Sequence, residues 1–180
     1  MNGRIVEVHG AAEIAERVHA LASEISAALG DREVSVLGVS EDGFVFLADL
    51  LRALRLLSIS TSFVRYEHRS RGGLEDLSFE TPVDVSGRDV LLVAGVLDTG
   101  VTHEYLSKQL EARGAASVRL CVLLDKPDRR RTGVRPDWRA FEASEEYVFG
   151  YGLGLQGRWR ELPYLATFER PESEPAGTEI

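Results

Sequence analysis

Cysteine occurs once in this chain of 180 residues, at Cys121, so no intramolecular disulfide can form and a disulfide-stapled scaffold is excluded. Long hydrophobic runs are missing as well. No stretch approaches the ~20 apolar residues that a membrane-spanning helix needs, and the first residues show no signal-type apolar segment. Positive charge is in deficit. With 21 Lys and Arg against 29 Asp and Glu the net charge is −8, which removes the electrostatic footprint expected of a nucleic-acid binder. Internal repeats and an interdomain linker are also absent. These absences predict a cytoplasmic globular protein with neither a membrane nor a nucleic-acid partner. Cys121 lies inside the apolar run Val118 to Leu124 and reads as a small buried hydrophobe rather than a reactive thiol.

What is present is an alternation of strand-like and helix-like segments. Ala11 to Leu29 places Ile14, Val18, Leu21, Ile25, Ala28 and Leu29 at helical spacing, with Gly30 as the C-cap. Val34–Val39, Val90–Leu97 and Val118–Leu124 are near-continuous apolar runs, the pattern of strands buried on both faces of a parallel sheet. Helices are expected at Gly43–Leu54 and His103–Arg113, the second closed by Gly114. Leu57–Tyr66 and Leu74–Thr81 read as strands joined by the polar, flexible segment Glu67–Gly73; Trp138–Phe141 and Glu146–Tyr151 read as short strands. The residues from Pro171 onward carry no core-forming content, so the expected organisation is one domain over 1–170 and a disordered tail over 171–180. The fold class predicted is α/β, an open and mainly parallel sheet flanked by helices, and ligands in such folds sit beyond the carboxyl ends of the strands.

Asp98-Thr99-Gly100-Val101-Thr102 stands at such an end. Glycine lets the backbone approach a ligand closely, the threonines offer hydroxyls, and a helix N-terminus brings unpaired N–H groups. That combination suits a phosphate. The basic cluster Lys126 to Arg131 (KPDRRR) is local, and it reads either as a solvated loop or as the neighbour of a small anion.

Four blocks, VLGVSEDGFVFLADLL, VLLVAGVLDTGVT, CVLLDKPDRR and EYVFGYGLGLQGRWRELPY, occur in the order and separation found in one family. The chain resembles the hypoxanthine/guanine phosphoribosyltransferases, and the blocks cover nearly all of it before the tail. The resemblance implies a type I phosphoribosyltransferase fold with a small C-terminal hood, purine salvage chemistry from phosphoribosyl diphosphate (PRPP), and assembly as a homodimer or homotetramer. Carried over residue by residue, it implies that Asp98 is the general base near the purine N7. Asp98, Thr99, Gly100, Val101 and Thr102 then form the 5′-phosphate cradle. Lys126 reads the exocyclic 6-oxygen, Tyr147 stacks on the base, Val148 offers its backbone to the base edge, and Arg160 lies on the pyrophosphate side.

Other family positions are altered. The two carboxylates that hold the ribose hydroxyls are Ala94 and Gly95, and the metal-ligating aspartate is Gly154. The Leu-Lys-Gly turn at the pyrophosphate is Ser40-Glu41-Asp42, and the mobile loop's Ser-Tyr pair is His68-Arg69. A hard Mg²⁺ ion wants oxygen ligands, which glycine and alanine side chains do not offer. At 4 Å and an effective dielectric near 20, reversing a charge beside pyrophosphate changes an interaction of about 4 kcal/mol in sign. The resulting expectation is a protein that keeps purine 5′-monophosphates (GMP, IMP) with no metal, its PRPP binding in doubt. The alternative is an active enzyme that makes IMP or GMP from hypoxanthine or guanine, with Mg²⁺ held by substitutes such as Glu41, Asp42 or Glu104. A regulatory subunit paired with an active relative is a third reading.

Overall fold

The computed structural model of the protein describes residues 4–39, 41–67, 76–79, 84–144 and 147–169. Its elements in chain order are β1 (Ile5–His9), α1 (Ala11–Leu29), β2 (Glu33–Val39), a 3-10 turn (Glu41–Gly43), α2 (Phe44–Ala53), β3 (Ser58–Glu67), β4 (Asp76–Phe79) and β5 (Asp89–Leu97). They continue with α3 (Val101–Ala112), β6 (Ser117–Asp125), a second 3-10 turn (Pro127–Arg129), β7 (Trp138–Glu142) and β8 (Leu165–Phe168).

The three apolar runs become the centre of a six-stranded sheet in the order β4-β3-β2-β5-β6-β7. Five of its strands run parallel and β4 is antiparallel to β3 at one edge. Because successive side chains of a strand point to opposite faces, β5 feeds two cores. Leu91 and Val93 pack with α1 and α2, whereas Val90, Leu92 and Ala94 pack with Leu106 and Leu110 of α3. Burial on both faces is what makes these strands read as unbroken Val and Leu runs rather than as alternation. Cys121 is buried in the first core, and burial pushes its thiol well above the ordinary range. This is the arrangement of sheet and helices that the resemblance to the phosphoribosyltransferases predicts.

A second, two-stranded sheet pairs β1 with β8 antiparallel, Ile5 opposite Phe168, and with the loop 147–164 it forms the hood. Phe149, Trp159 and Phe168 cluster beneath it with ring centroids 4.9–5.4 Å apart. Neither β1 nor β8 is foreseen by the sequence reading, since each pairs with a segment about as distant along the chain as the fold allows. Other differences are local. Helix α3 starts at Val101 rather than His103, because Gly100 (φ 82°) turns the chain in the left-handed region and the helix begins at once. Glu146–Tyr151 forms no strand over its described residues: Gly150 and Tyr151 both have positive φ, and Gly150 exchanges backbone bonds with Leu153 in a tight reversal. Ala28 is exposed, and Ala22 takes a place in the core of α1. Residues 68–73, which include His68 and Arg69, and the tail 171–180 lie outside the described residues, as does Ser40.

Candidate functional site

Strand β5 ends at Leu97 and α3 begins at Val101, which leaves three residues to turn the chain at the carboxyl edge of the sheet. The first helical bond of α3 runs from Glu104 N–H to Gly100 O at 2.9 Å, so the N–H groups of Val101, Thr102 and His103 precede the intrahelical ladder. Those groups and the helix dipole make this end of α3 attractive to an anion. Val101 N–H lies 3.5 Å from Thr99 Oγ1, a long contact.

The turn is fastened from outside by the segment after β6. Lys126 N–H donates to Leu97 O at 3.0 Å, Arg130 Nη1 to Asp98 O at 2.7 Å, and Arg131 N–H to Thr99 O at 2.9 Å. Successive carbonyls of the turn are thereby tied to one neighbouring stretch. A Cβ on Gly100 would meet Thr132 Oγ1 and come within 3.0 Å of Arg130 Cδ, so the tie also lies close against the glycine.

The arginine that makes this tie is almost wholly enclosed. Arg130 donates through Nη2 to Asp125 Oδ1, and the two side chains are 7% and 3% exposed. Arg139 Nη1 donates to the other carboxylate oxygen at 3.2 Å. A buried carboxylate without such partners would carry several kcal/mol of desolvation. The solvated-loop reading of KPDRRR is therefore corrected for Lys126 and Arg130, both of which are buried. Arg129 stays half-exposed and donates through Nε to Asp98 Oδ1 at 2.6 Å. His103, in the first turn of α3, is 7% exposed, and its Nε2 has no hydrogen-bond partner among the described residues. Burial, and secondarily the Arg130 charge, lowers its pKa to about 4, so the ring is neutral at physiological pH.

The opposite half of the site is built from the Glu41–Gly43 turn, the end of β5 and the hood. Arg160 Nη1 donates to the Asp42 carboxylate and, at 2.7 Å, to Gly152 O, while Gly152 N–H donates to Arg160 O at 3.0 Å. A Cβ on Gly154 would lie 2.6 Å from Arg160 Cζ. A Cβ on Gly95 would lie 2.7 Å from Leu153 Cδ2 and 2.8 Å from Asp42 O. Ala94 points into the second core. Beside Arg160 opens a cavity of about 630 Å³ lined by Ile14, Phe44, Val45, Asp49 and Tyr151. Tyr151 Oη donates to Asp49 at 2.5 Å, and burial with that bond raises its pKa.

Sequence-expected residues thus fall into two groups. Asp98, Thr99, Gly100, Val101, Thr102 and Lys126 converge around one strand end, and Asp42, Gly95, Gly154 and Arg160 converge around its other flank. Tyr147 is 52% exposed and anchored to the hood through its carbonyl, which accepts from Thr167 Oγ1 at 2.8 Å; Val148 packs partly against the first core. The Glu104 carboxylate lies 3.4 Å from Lys108 Nζ, an exposed pair along α3. Asp125, Arg130, Arg139 and Thr132 were missed as site residues. The signal that points to them is a carboxylate closing an apolar strand just before three consecutive arginines.

The sequence profile of the phosphoribosyl transferase domain matches residues 6–157. Similar proteins include the hypoxanthine-guanine phosphoribosyltransferase of Lactococcus lactis, 33% identical over 164 residues that cover 89% of this chain and 88% of that one. That of Bacillus subtilis is 30% identical over 161 residues, 87% of this chain and 89% of the other. The chain belongs to this family. A crystal structure of a hypoxanthine-guanine phosphoribosyltransferase from Bacillus anthracis, with a HEPES molecule in its active site, superposes with a TM-score of 0.85. It is 26% identical, and the match covers 93% of this chain and all of that one.

As a member of the phosphoribosyltransferase family the chain invites a test of its fit to Mg²⁺. Among the described residues no three His, Cys, Asp or Glu side chains come together. At Gly154, where the resemblance places the family's metal-ligating aspartate, the space a side chain would take holds the Arg160 guanidinium, a cation. The donor set does not fit a hard divalent ion.

Proposed function

We propose that this phosphoribosyltransferase-family protein binds purine 5′-monophosphates, GMP and IMP, and has lost or strongly reduced its PRPP- and Mg²⁺-dependent transfer. The observation that carries the reading is the filling of the transfer half of the site by the chain itself. Arg160 takes the volume of a side chain at 154, and the Asp42 backbone with Leu153 takes that of a side chain at 95. The phosphate half is intact by contrast. Asp98 to Thr102 turn at the head of α3, held by Lys126, Arg130 and Arg131, and form a cradle for the 5′-phosphate. In this reading Lys126 donates to the 6-oxygen of the base, which favours hypoxanthine and guanine over adenine. Tyr147 stacks on the purine and Val148 meets its edge. Assembly as a homodimer or homotetramer belongs to the same reading.

The experiment is turnover of hypoxanthine and guanine with PRPP and Mg²⁺, alongside GMP and IMP binding by calorimetry on the same preparation. The expected result is saturable nucleotide binding that a chelator leaves unchanged, without turnover. A kcat in the ordinary range of roughly 1–10³ s⁻¹ would establish the active enzyme instead. Absence of GMP and IMP binding at millimolar concentration would remove the reading altogether.

A further inference from the structure

We propose that Asp42 is a specificity-determining residue that excludes diphosphate groups from the site, by holding against Arg160 the negative charge that a pyrophosphate would otherwise supply. This deepens the nucleotide-binding reading above and rests on it for the location of the site.

Four observations support it. Arg160 is fixed rather than wandering, because its guanidinium donates to Asp42 and Gly152 while its own carbonyl accepts from Gly152 N–H. Its guanidinium reaches back over Gly154, with Cζ 2.6 Å and Nη2 2.8 Å from the place of a Cβ there. The backbone that carries Asp42 packs closely against β5, since its carbonyl oxygen sits 2.8 Å from the place of a Cβ on Gly95, and a Cβ on Gly43 would lie 2.9 Å from Gly95 N. The neighbouring residue on the same turn is Glu41, so the turn carries two adjacent acidic residues.

The chemistry follows from charge and geometry. A guanidinium binds carboxylate and phosphate oxygens through the same planar fork. A pyrophosphate entering beside Arg160 must break the Asp42 contact, and the displaced carboxylate stays within the same turn, repelling the newcomer. A 5′-monophosphate seated at Asp98–Thr102 makes no such demand. The site therefore sorts phosphorylated ligands by whether they carry a second phosphate group on this flank.

The test is calorimetric titration with inorganic pyrophosphate alone, on the wild type, Asp42→Asn, Asp42→Glu and the double variant Asp42→Asn/Arg160→Gln. Circular dichroism melts check that each is folded. Asp42→Asn is expected to bind pyrophosphate at least tenfold more tightly than the wild type. Asp42→Glu, which restores the charge, should behave as the wild type, and the double variant should lose the gain. A merely structural latch between turn and hood would move the melts without this pattern. The inference is overturned if the wild type binds pyrophosphate as tightly as Asp42→Asn, or if the gain persists without Arg160. GMP titrated into the same samples separates the two readings. Gain of pyrophosphate binding without any GMP binding would leave Asp42 in this role and remove the nucleotide reading. GMP binding without the gain would do the reverse.

Discussion

At the scale of single residues, Gly95 and Gly154 look alike in the sequence and differ in the structure. The atom nearest a Cβ on Gly154 is the end of the flexible Arg160 side chain, whereas a Cβ on Gly95 meets a backbone oxygen as well as Leu153. The guanidinium can exchange its bonds to Asp42 and Gly152 for one to a new carboxylate, whereas the main chain of a packed turn cannot move aside. Gly95→Asp is therefore expected to lose stability, by about 1–3 kcal/mol for the overpacking before any charge effect. Gly154→Asp should fall within about 1 kcal/mol of the wild type, its carboxylate meeting the guanidinium that it displaces. Urea denaturation of the two variants measures the contrast.

At the scale of elements, the segment that follows β6 acts as a strap across the turn between β5 and α3. Its hold depends on Arg130, whose removal leaves Asp125 buried with Arg139 alone, at 3.2 Å and half in solvent. Arg130→Met should cost about 3–5 kcal/mol, the range for breaking a buried pair from one side. The melting temperature should fall by roughly 10 °C at about 2–4 °C per kcal/mol, with GMP binding weakened alongside. A fall of a degree or less would show that the strap bears no strain. This strap also marks the limit of what can be read without a structure. The strands β2, β5 and β6 are legible because both of their faces are buried, and the Asp98–Thr102 turn is legible because its residue types match an anion's needs. The hood strands are not, since Ile5–His9 leaves much of its surface exposed and meets Leu165–Phe168 only through the fold. Nor does any local pattern foretell that Arg160 would lie on Asp42, 118 residues earlier. Composition likewise suggested a solvated KPDRRR, where the ionic pairing of Arg130 required Asp125 to be buried first.

At the scale of the whole molecule, acid stability carries a signature of His103. Its folded pKa of about 4 lies below the unfolded value of 6.5, so the folded state resists the proton that the unfolded chain accepts. The stability associated with the neutral ring is complete above pH 6.5 and is lost as the pH falls from 6.5 through 4. The gap corresponds to about 3 kcal/mol as an order of magnitude. His103→Gln is expected to flatten the stability curve over that interval and to leave it unchanged above pH 7. Equal slopes for variant and wild type between pH 4 and 6.5 would show that the ring titrates freely.

The pairing of β1 with β8 also fixes how the molecule would respond to a pull on its two ends. Glu169 N–H donates to Arg4 O at 2.8 Å, and Ile5 stands opposite Phe168, so both ends of the described chain leave from the same end of one antiparallel ladder. Force applied there loads the rungs one after another, like a zip, rather than all together in shear. Pulled from these two points, the β1–β8 ladder is expected to open before the parallel sheet bears load, which force spectroscopy would register as a low-force step ahead of the main one.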